Sequence, residues 1–280
     1  MKSKRVALVI PSALKSMSKD TVFSFIYAYS YLLNRMDDLP FTIEHLEIIA
    51  PAEFPIDACR NMAVAEVLDG NFDTTVWFDA DQTFPKNMIF RLLNNPEPIV
   101  SGMYYLKAPP YYPIVFKETR DTDFLWFKPV VEYPGDDYFY ADMIGMGCVK
   151  IDVKVFKEIA KTFTDKIEFF KYGVNPITID VMEHETDDLK LKKAKLRQKY
   201  VIRDVSEDVY FWKQVREKTD YKIVIDPKIQ CGHIGQLEIT QTLFKNFYES
   251  KLDMVKSENP EEHKKIMELV CRAEAIKSAS

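Results

Sequence analysis

Apolar and polar positions along the chain alternate between two textures. "RVALVIP" (5–11) is a short continuous apolar run, the mark of a strand covered on both faces. Val22, Phe25, Ile26, Tyr29, Leu32, Leu33 and Met36 then recur at helical spacing, with Ser18 or Asp20 placed to cap the helix. "FTIEHLEII" (41–49) alternates enough to be a second strand, and His45 inside it is given no role. Pro55 and Asp57 open a second helix that ends at Gly70. "TTVWFDA" (74–80) is a third strand. "PKNMIFRLLNN" (85–95) is a short helix with proline at its start, and "PIVSGMYYL" (98–106) is a further strand. Strand and helix thus alternate through the first hundred residues. That order predicts an α/β domain with a mixed, mainly parallel central sheet, whose ligands gather at the carboxyl ends of its strands.

The second part of the chain is less regular. "YPIVFKE" and "FKPVVEY" read as strands of a more antiparallel region. "ADMIGMGCVKIDVKVFKEI" (141–159) runs from a glycine-containing turn into a strand and a helix. Residues 162–203 form a polar insertion. "SEDVYFWKQVREK" (206–218) is a helix with acid in its first turn, "YKIVIDPKI" is a strand, and "QCGHIG" follows it. From 237 to 280 the pattern is helical and charged with no strand signal, which sets a domain at 1–236 and a helical extension at 237–280. Leu243, Phe244, Phe247 and Tyr248 in that extension are spaced to pack on the domain or to join subunits.

Composition narrows the class. The 280 residues are 47% hydrophobic and 29% charged, an ordinary globular balance. A net charge of −5 supplies no global field for nucleic acid or an anionic membrane. Cys59, Cys148, Cys231 and Cys271 form no C-x-x-C pair and read as reduced thiols of a cytoplasmic protein. Lys2, Lys4 and Arg5 before "VALVIPSAL" loosely imitate a signal peptide, but Pro11 breaks the run and a first strand is the better reading. No stretch reaches the roughly 20 apolar residues that a membrane span requires.

Chemistry enters with "WFDADQT". Asp79 and Asp81 stand two apart at the end of an apolar strand, and like charges so close call for something positive between them. Three more features follow in order: Gly145-Met146-Gly147, Ser206-Glu207-Asp208, and Cys231-Gly232-His233. Each has an ordinary structural reading. The glycines would make a tight turn, and the acids of 207–208 would favour a helix dipole behind an Ser206 cap.

Together, in this order on an α/β background, these features resemble the nucleotide-sugar glycosyltransferases of the GT-A fold. The D-x-D, the glycine loop, the x-E-D and a late histidine carry the likeness, and "IDACRNMAVAEVLDGNFDTTVWFDAD" (56–81) resembles the family's A-R-N helix leading into the D-x-D strand. The resemblance spans residues 5 to 235. It implies a divalent Mn2+ or Mg2+ ion, held by carboxylates, that bridges a donor's two phosphates. Asp81 would contact the metal directly, Asp79 would reach it through water or hold the ribose, and His233 would complete the metal shell or touch the diphosphate. Pro11 and Ser12 would cradle base and ribose. Arg60, in the first turn of its helix, would face the nucleotide, while Asn61 would buttress a loop. Gly145 and Gly147 would line the donor, with Asp142 and Met146 on the acceptor side. In the family's inverting members the aspartate at the place of Asp208 removes the acceptor's proton, with Glu207 orienting acceptor or loop; retaining members use the site differently, and the resemblance leaves the anomeric outcome open. A uridine-diphosphate sugar is the family's commonest donor, and the acceptor is an unnamed hydroxyl.

Rival readings remain. "DADQT" also fits the first motif of haloacid-dehalogenase-type phosphatases, with Asp79 as nucleophile, Asp81 as acid/base, Thr83 on phosphate and "GDDYFYAD" (135–142) as a last acidic motif. A sugar nucleotidylyltransferase would have a glycine-rich loop after the first strand, which "IPSALKSMSKD" lacks. A binding protein of the same fold is a third option. Lys190, Lys192, Lys193, Lys195, Arg197 and Lys199 form a basic run, read as a solvated helix face or as a nucleic-acid patch beside the acceptor.

Overall fold

The structure is a computed structural model and describes residues 2–12, 17–52, 55–119, 126–172, 206–235 and 238–242. The chain begins with β1 (Ser3–Val9), α1 (Lys19–Leu33), β2 (Thr42–Ile49), α2 (Ile56–Asp69) and β3 (Thr74–Phe78). Then come β4 (Gln82–Thr83), α3 (Met88–Asn94), β5 (Ile99–Met103), β6 (Val115–Thr119), β7 (Trp126–Pro129), β8 (Phe139–Ala141) and β9 (Met143–Ile144). β10 (Cys148–Asp152) and α4 (Val153–Ala160) follow. α5 (Glu207–Lys218), β11 (Ile223–Gln230), β12 (Gly232–Ile234) and β13 (Glu238–Ile239) complete the described elements.

The central sheet has seven strands in the order β2-β1-β3-β10-β5-β11-β8. β2, β1, β3, β5 and β11 run in one direction, and β10 and β8 run against them. The fold is therefore α/β with a mixed, mainly parallel sheet. Side-chain alternation splits the core between its two faces. Ala7, Val9, Trp77, Ile99 and Val149 pack with Ala63, Val64 and Val67 of α2 and with the apolar sides of α4 and α5. Val6, Leu8, Val76, Phe78 and Val100 pack with Ala28 and Leu32 of α1 and with α3. Such two-sided cover is why β3 and β5 are buried along their whole length and why Val6–Val9 of β1 reads as an unbroken apolar run.

Several local expectations change. Ser18 does cap α1, its oxygen accepting from Thr21 N at 3.0 Å. The buried stripe of α1, however, is Thr21, Ala28 and Leu32. Val22, Ile26 and Leu33 are exposed, because the spacing that defined the helix also fitted a stripe turned away from the sheet. α3 starts at Met88 behind Asn87, later than Pro85. Past residue 237, where only helix was expected, Glu238–Ile239 pairs antiparallel with β12. A two-residue strand has no periodicity to read. The basic run 190–199, most of the insertion and residues 243–280 lie outside the described residues. No described helix is long and apolar enough to cross a membrane.

Candidate active site

Parallel strands bring their carboxyl ends together, and the D-x-D lies at that edge, just past Phe78. The backbone pins it on both sides. Asp79 N–H donates to the Gly147 carbonyl at 3.1 Å, and the Asp81 carbonyl accepts from Ile234 N at 2.7 Å. β4 pairs with β12, setting His233 opposite Gln82. A late histidine is thus carried to the D-x-D by a small second sheet, β13-β12-β4. His233 Nδ1 lies 2.7 Å from the Tyr105 carbonyl, and its Nε2 lies 3.5 Å from Asp81 Oδ1. The other oxygen of Asp81 meets Lys107. Burial works to raise the Asp81 carboxyl, but hydrogen bonds from His233 and Lys107 outweigh it and hold the pKa down at about 2.

A second cluster lies beside the first. Arg60, on α2, is 3% exposed. Its Nη2 is 3.0 Å from Asp79 Oδ1, and its Nη1 meets both Glu207 and Asp208 at the start of α5. One guanidinium therefore joins the D-x-D to the x-E-D, with Asp208 lying 148 residues from Arg60 in sequence. Burial opposes its charge, but Asp208, Asp79 and Glu207 prevail and its pKa is raised. Asp208 moves up as well, chiefly by burial; Arg60 pulls it back, while Glu207 and Asp79 push it higher. Arg60 is placed inside this carboxylate cluster, with its ring neighbour Phe170 at 5.8 Å. Asn61 braces the adjoining backbone, donating to Phe170 O at 2.7 Å and accepting from Phe169 N at 2.9 Å.

The glycine loop closes the floor. Gly147 N–H donates to Tyr104 Oη at 3.0 Å, and the Met146 backbone donates to Asp208. A Cβ on Gly145 would land on Tyr104 Oη. One on Gly147 would land on Gln82 Nε2 and lie 2.6 Å from Asp79 Oδ2. The glycines are thus required by close approach. Gly147→Ala should cost about 1–3 kcal/mol in urea unfolding, the ordinary penalty of overpacking, and should displace Asp79. An unchanged midpoint would show that the loop yields freely. Gln82 is fully buried, and among the described residues neither of its amide atoms has a partner. Nothing in the D-x-D pattern singles out Gln82; only its place directly after Asp81 could have done so.

Other candidates are more dispersed. Pro11 and Ser12 follow β1 at the same edge of the sheet, where Ser12 N–H donates to the Pro51 carbonyl at 3.2 Å. Met146 is buried and reaches the cluster through its backbone. Asp142 accepts from Glu118 N at 2.8 Å and lies 3.7 Å from Lys117. It borders a cavity of about 280 Å³ shared with Arg216 and Lys222, next to the start of β11 and so toward the opposite edge of the sheet. Asp136, from the acidic stretch of the phosphatase resemblance, lies 3.7 Å from Lys228.

The donor set suits a divalent ion. The Tyr105 carbonyl takes up Nδ1 and leaves Nε2 as the nitrogen that faces Asp81, the one through which His233 would ligate an ion. Among the described residues no three His, Cys, Asp or Glu groups converge on one point. Mg2+-type sites commonly take one or two protein ligands and fill the rest with phosphate oxygens and water.

No family model matches the chain, and no curated protein matches it. Solved structures do. The crystal structure of A197 from STIV is 15% identical, with a TM-score of 0.46, covering 85% of this chain and 91% of that one. GalNAc-T7 with UDP, GalNAc and Mn2+ is 9% identical at a TM-score of 0.45, covering 83% of this chain and 44% of that one. The inositol-1-phosphate CTP transferase from T. maritima is 11% identical at a TM-score of 0.40, covering 88% and 95%. At such identities a likeness concerns the course of the chain and not its chemistry.

Proposed function

We propose that this chain transfers a sugar from a nucleotide-diphosphate donor, a uridine-diphosphate sugar by the family resemblance, to a hydroxyl acceptor with the help of Mn2+ or Mg2+. The observation that supports this most directly is the meeting of all four separated motifs at one edge of the sheet. Asp79 is bonded to Gly147, Asp81 faces His233, and Arg60 joins Asp79 to Glu207 and Asp208.

Asp81 and His233 would hold the divalent ion, which supplies positive charge for the leaving diphosphate. Asp79, steadied by Arg60 and the Gly147 carbonyl, would take the ribose or a metal-bound water. Pro11 and Ser12 would border the base, and Gly145 and Gly147 let the donor approach the backbone closely. Asp208 accepts the proton of the acceptor hydroxyl at its carboxylate. Its raised pKa makes it a stronger base than an ordinary aspartate, and the Met146 N–H and Arg60 keep it oriented. Glu207 completes the salt bridge that sets that orientation.

The test is release of UDP from a panel of UDP-sugars with Mn2+, Mg2+ or EDTA. The proposal expects release with metal and none with EDTA; release of phosphate from monoesters instead would favour the phosphatase reading. Asp81→Ala, at a side chain 48% exposed, should fold normally and bind Mn2+ at least about ten-fold more weakly. Wild-type affinity for Mn2+ in that variant would remove Asp81 as a ligand.

A further inference from the structure

The site is short of positive charge for a diphosphate donor. Arg60 brings one positive charge against the carboxylates of Asp79, Glu207 and Asp208, and its side chain is 4% exposed. Both of its Nη atoms are engaged by those carboxylates and the side chain is almost sealed from solvent. Yet a diphosphate would arrive at a site already rich in negative charge. Among the described residues, Lys107 is the cation at Asp81 still within reach of solvent: its side chain is 39% exposed and contacts Asp81 Oδ2, while His233 approaches Oδ1 of the same carboxylate.

Lys107 is placed there by a closed loop. Ile114 N–H donates to the Tyr104 carbonyl at 2.8 Å, Leu106 N–H to the Tyr112 carbonyl at 2.9 Å, and Tyr111 N–H to the Ala108 carbonyl at 2.9 Å. Tyr105 bridges to Pro113 at the neck, and its carbonyl is the group that orients His233. The same short segment therefore aims the imidazole at Asp81 and carries the ammonium to it.

Resting on the glycosyltransferase reading, we propose that Lys107 is the side chain that binds the donor's diphosphate, and that without donor it occupies the position at Asp81 that a divalent ion takes. The exchange is electrostatic. An ion ligated through Asp81 repels the nearby ammonium, which then finds its counter-charge on the phosphate oxygens. Lys107 thus competes with the metal when the site is empty and cooperates with it when the nucleotide is present.

That behaviour gives effects of opposite sign. In Lys107→Met, Mn2+ affinity without nucleotide, read from the electron paramagnetic resonance of free Mn2+, should rise about three-fold, since an exposed ion pair no longer opposes the metal. UDP affinity at saturating Mn2+, read by calorimetry, should fall about ten-fold, as expected for loss of a charge-assisted contact. Lys107→Arg should restore UDP affinity. Both affinities unchanged, or both falling together, would overturn the proposal. Asp81→Asn, measured in parallel, separates the two readings. If it loses Mn2+ while Lys107→Met changes nothing, the Lys107 inference fails alone. If wild type and Asp81→Asn bind Mn2+ equally or not at all, the metal reading fails with it.

Discussion

Asp208→Asn is expected to lower sugar transfer at saturating donor by about 10³-fold while Mn2+ and UDP affinities stay within about two-fold of wild type. Asparagine keeps the shape at the start of α5 but cannot take a proton. The same substitution should not destabilise the protein. Asp208 lies in a buried cluster where one guanidinium faces three carboxylates, and burial with Glu207 and Asp79 already drives its pKa up against the pull of Arg60. A neutral side chain relieves that repulsion, so the unfolding midpoint should hold or rise.

The pH dependence follows in sign. A base that must be ionised to act loses rate as pH falls through its pKa, so the acid limb of kcat should lie above the ordinary aspartate value of 3.8. Stability runs the other way. A carboxyl whose folded pKa is raised contributes stability fully present below the unfolded value and lost as pH rises through the folded one. Asp208→Asn should flatten that loss. Near-normal turnover in the variant would move the base elsewhere.

Arg60→Met should cause the largest loss of stability, about 3–5 kcal/mol in urea unfolding at neutral pH, because removing one partner leaves buried charge uncompensated. For a domain of ordinary stability, about 5–15 kcal/mol, that is a large fraction. The variant should recover as pH falls and Asp208 takes up its proton. Arg60→Lys should recover only part, since a point charge cannot bridge Asp79 and the 207–208 pair as the guanidinium fork does. A loss under about 1 kcal/mol, typical of a surface pair, would mean that the cluster is hydrated and Arg60 dispensable.

What the sequence revealed and what it hid divide along physical lines. β1, β3 and β5 were legible because both faces are covered, so that apolar residues follow one another without strict alternation. Asp79 and Asp81 were legible as an edge feature because charge ends such a run. Position along the chain does not encode which strands pair. Hence β10 slotting antiparallel between β3 and β5, and β12 meeting β4, could not be read. Arg60 could be assigned to a helix start but not to its partners Glu207 and Asp208, which lie 147 and 148 residues away. Lys107 carried no signal at all, as one lysine in "YYLKAPPYY" is indistinguishable from solvated charge; only the loop closure between Tyr104 and Ile114 brings it to Asp81.

The central claim is a divalent ion held by Asp81 and His233 against a donor's diphosphate. The most direct measurement is anomalous diffraction at the manganese edge from crystals grown with Mn2+ and UDP. The account predicts one strong peak beside Asp81 and His233, with UDP in the same cleft and Lys107 moved from Asp81 to the nucleotide. UDP bound elsewhere, or a peak away from Asp81 and His233, would contradict it.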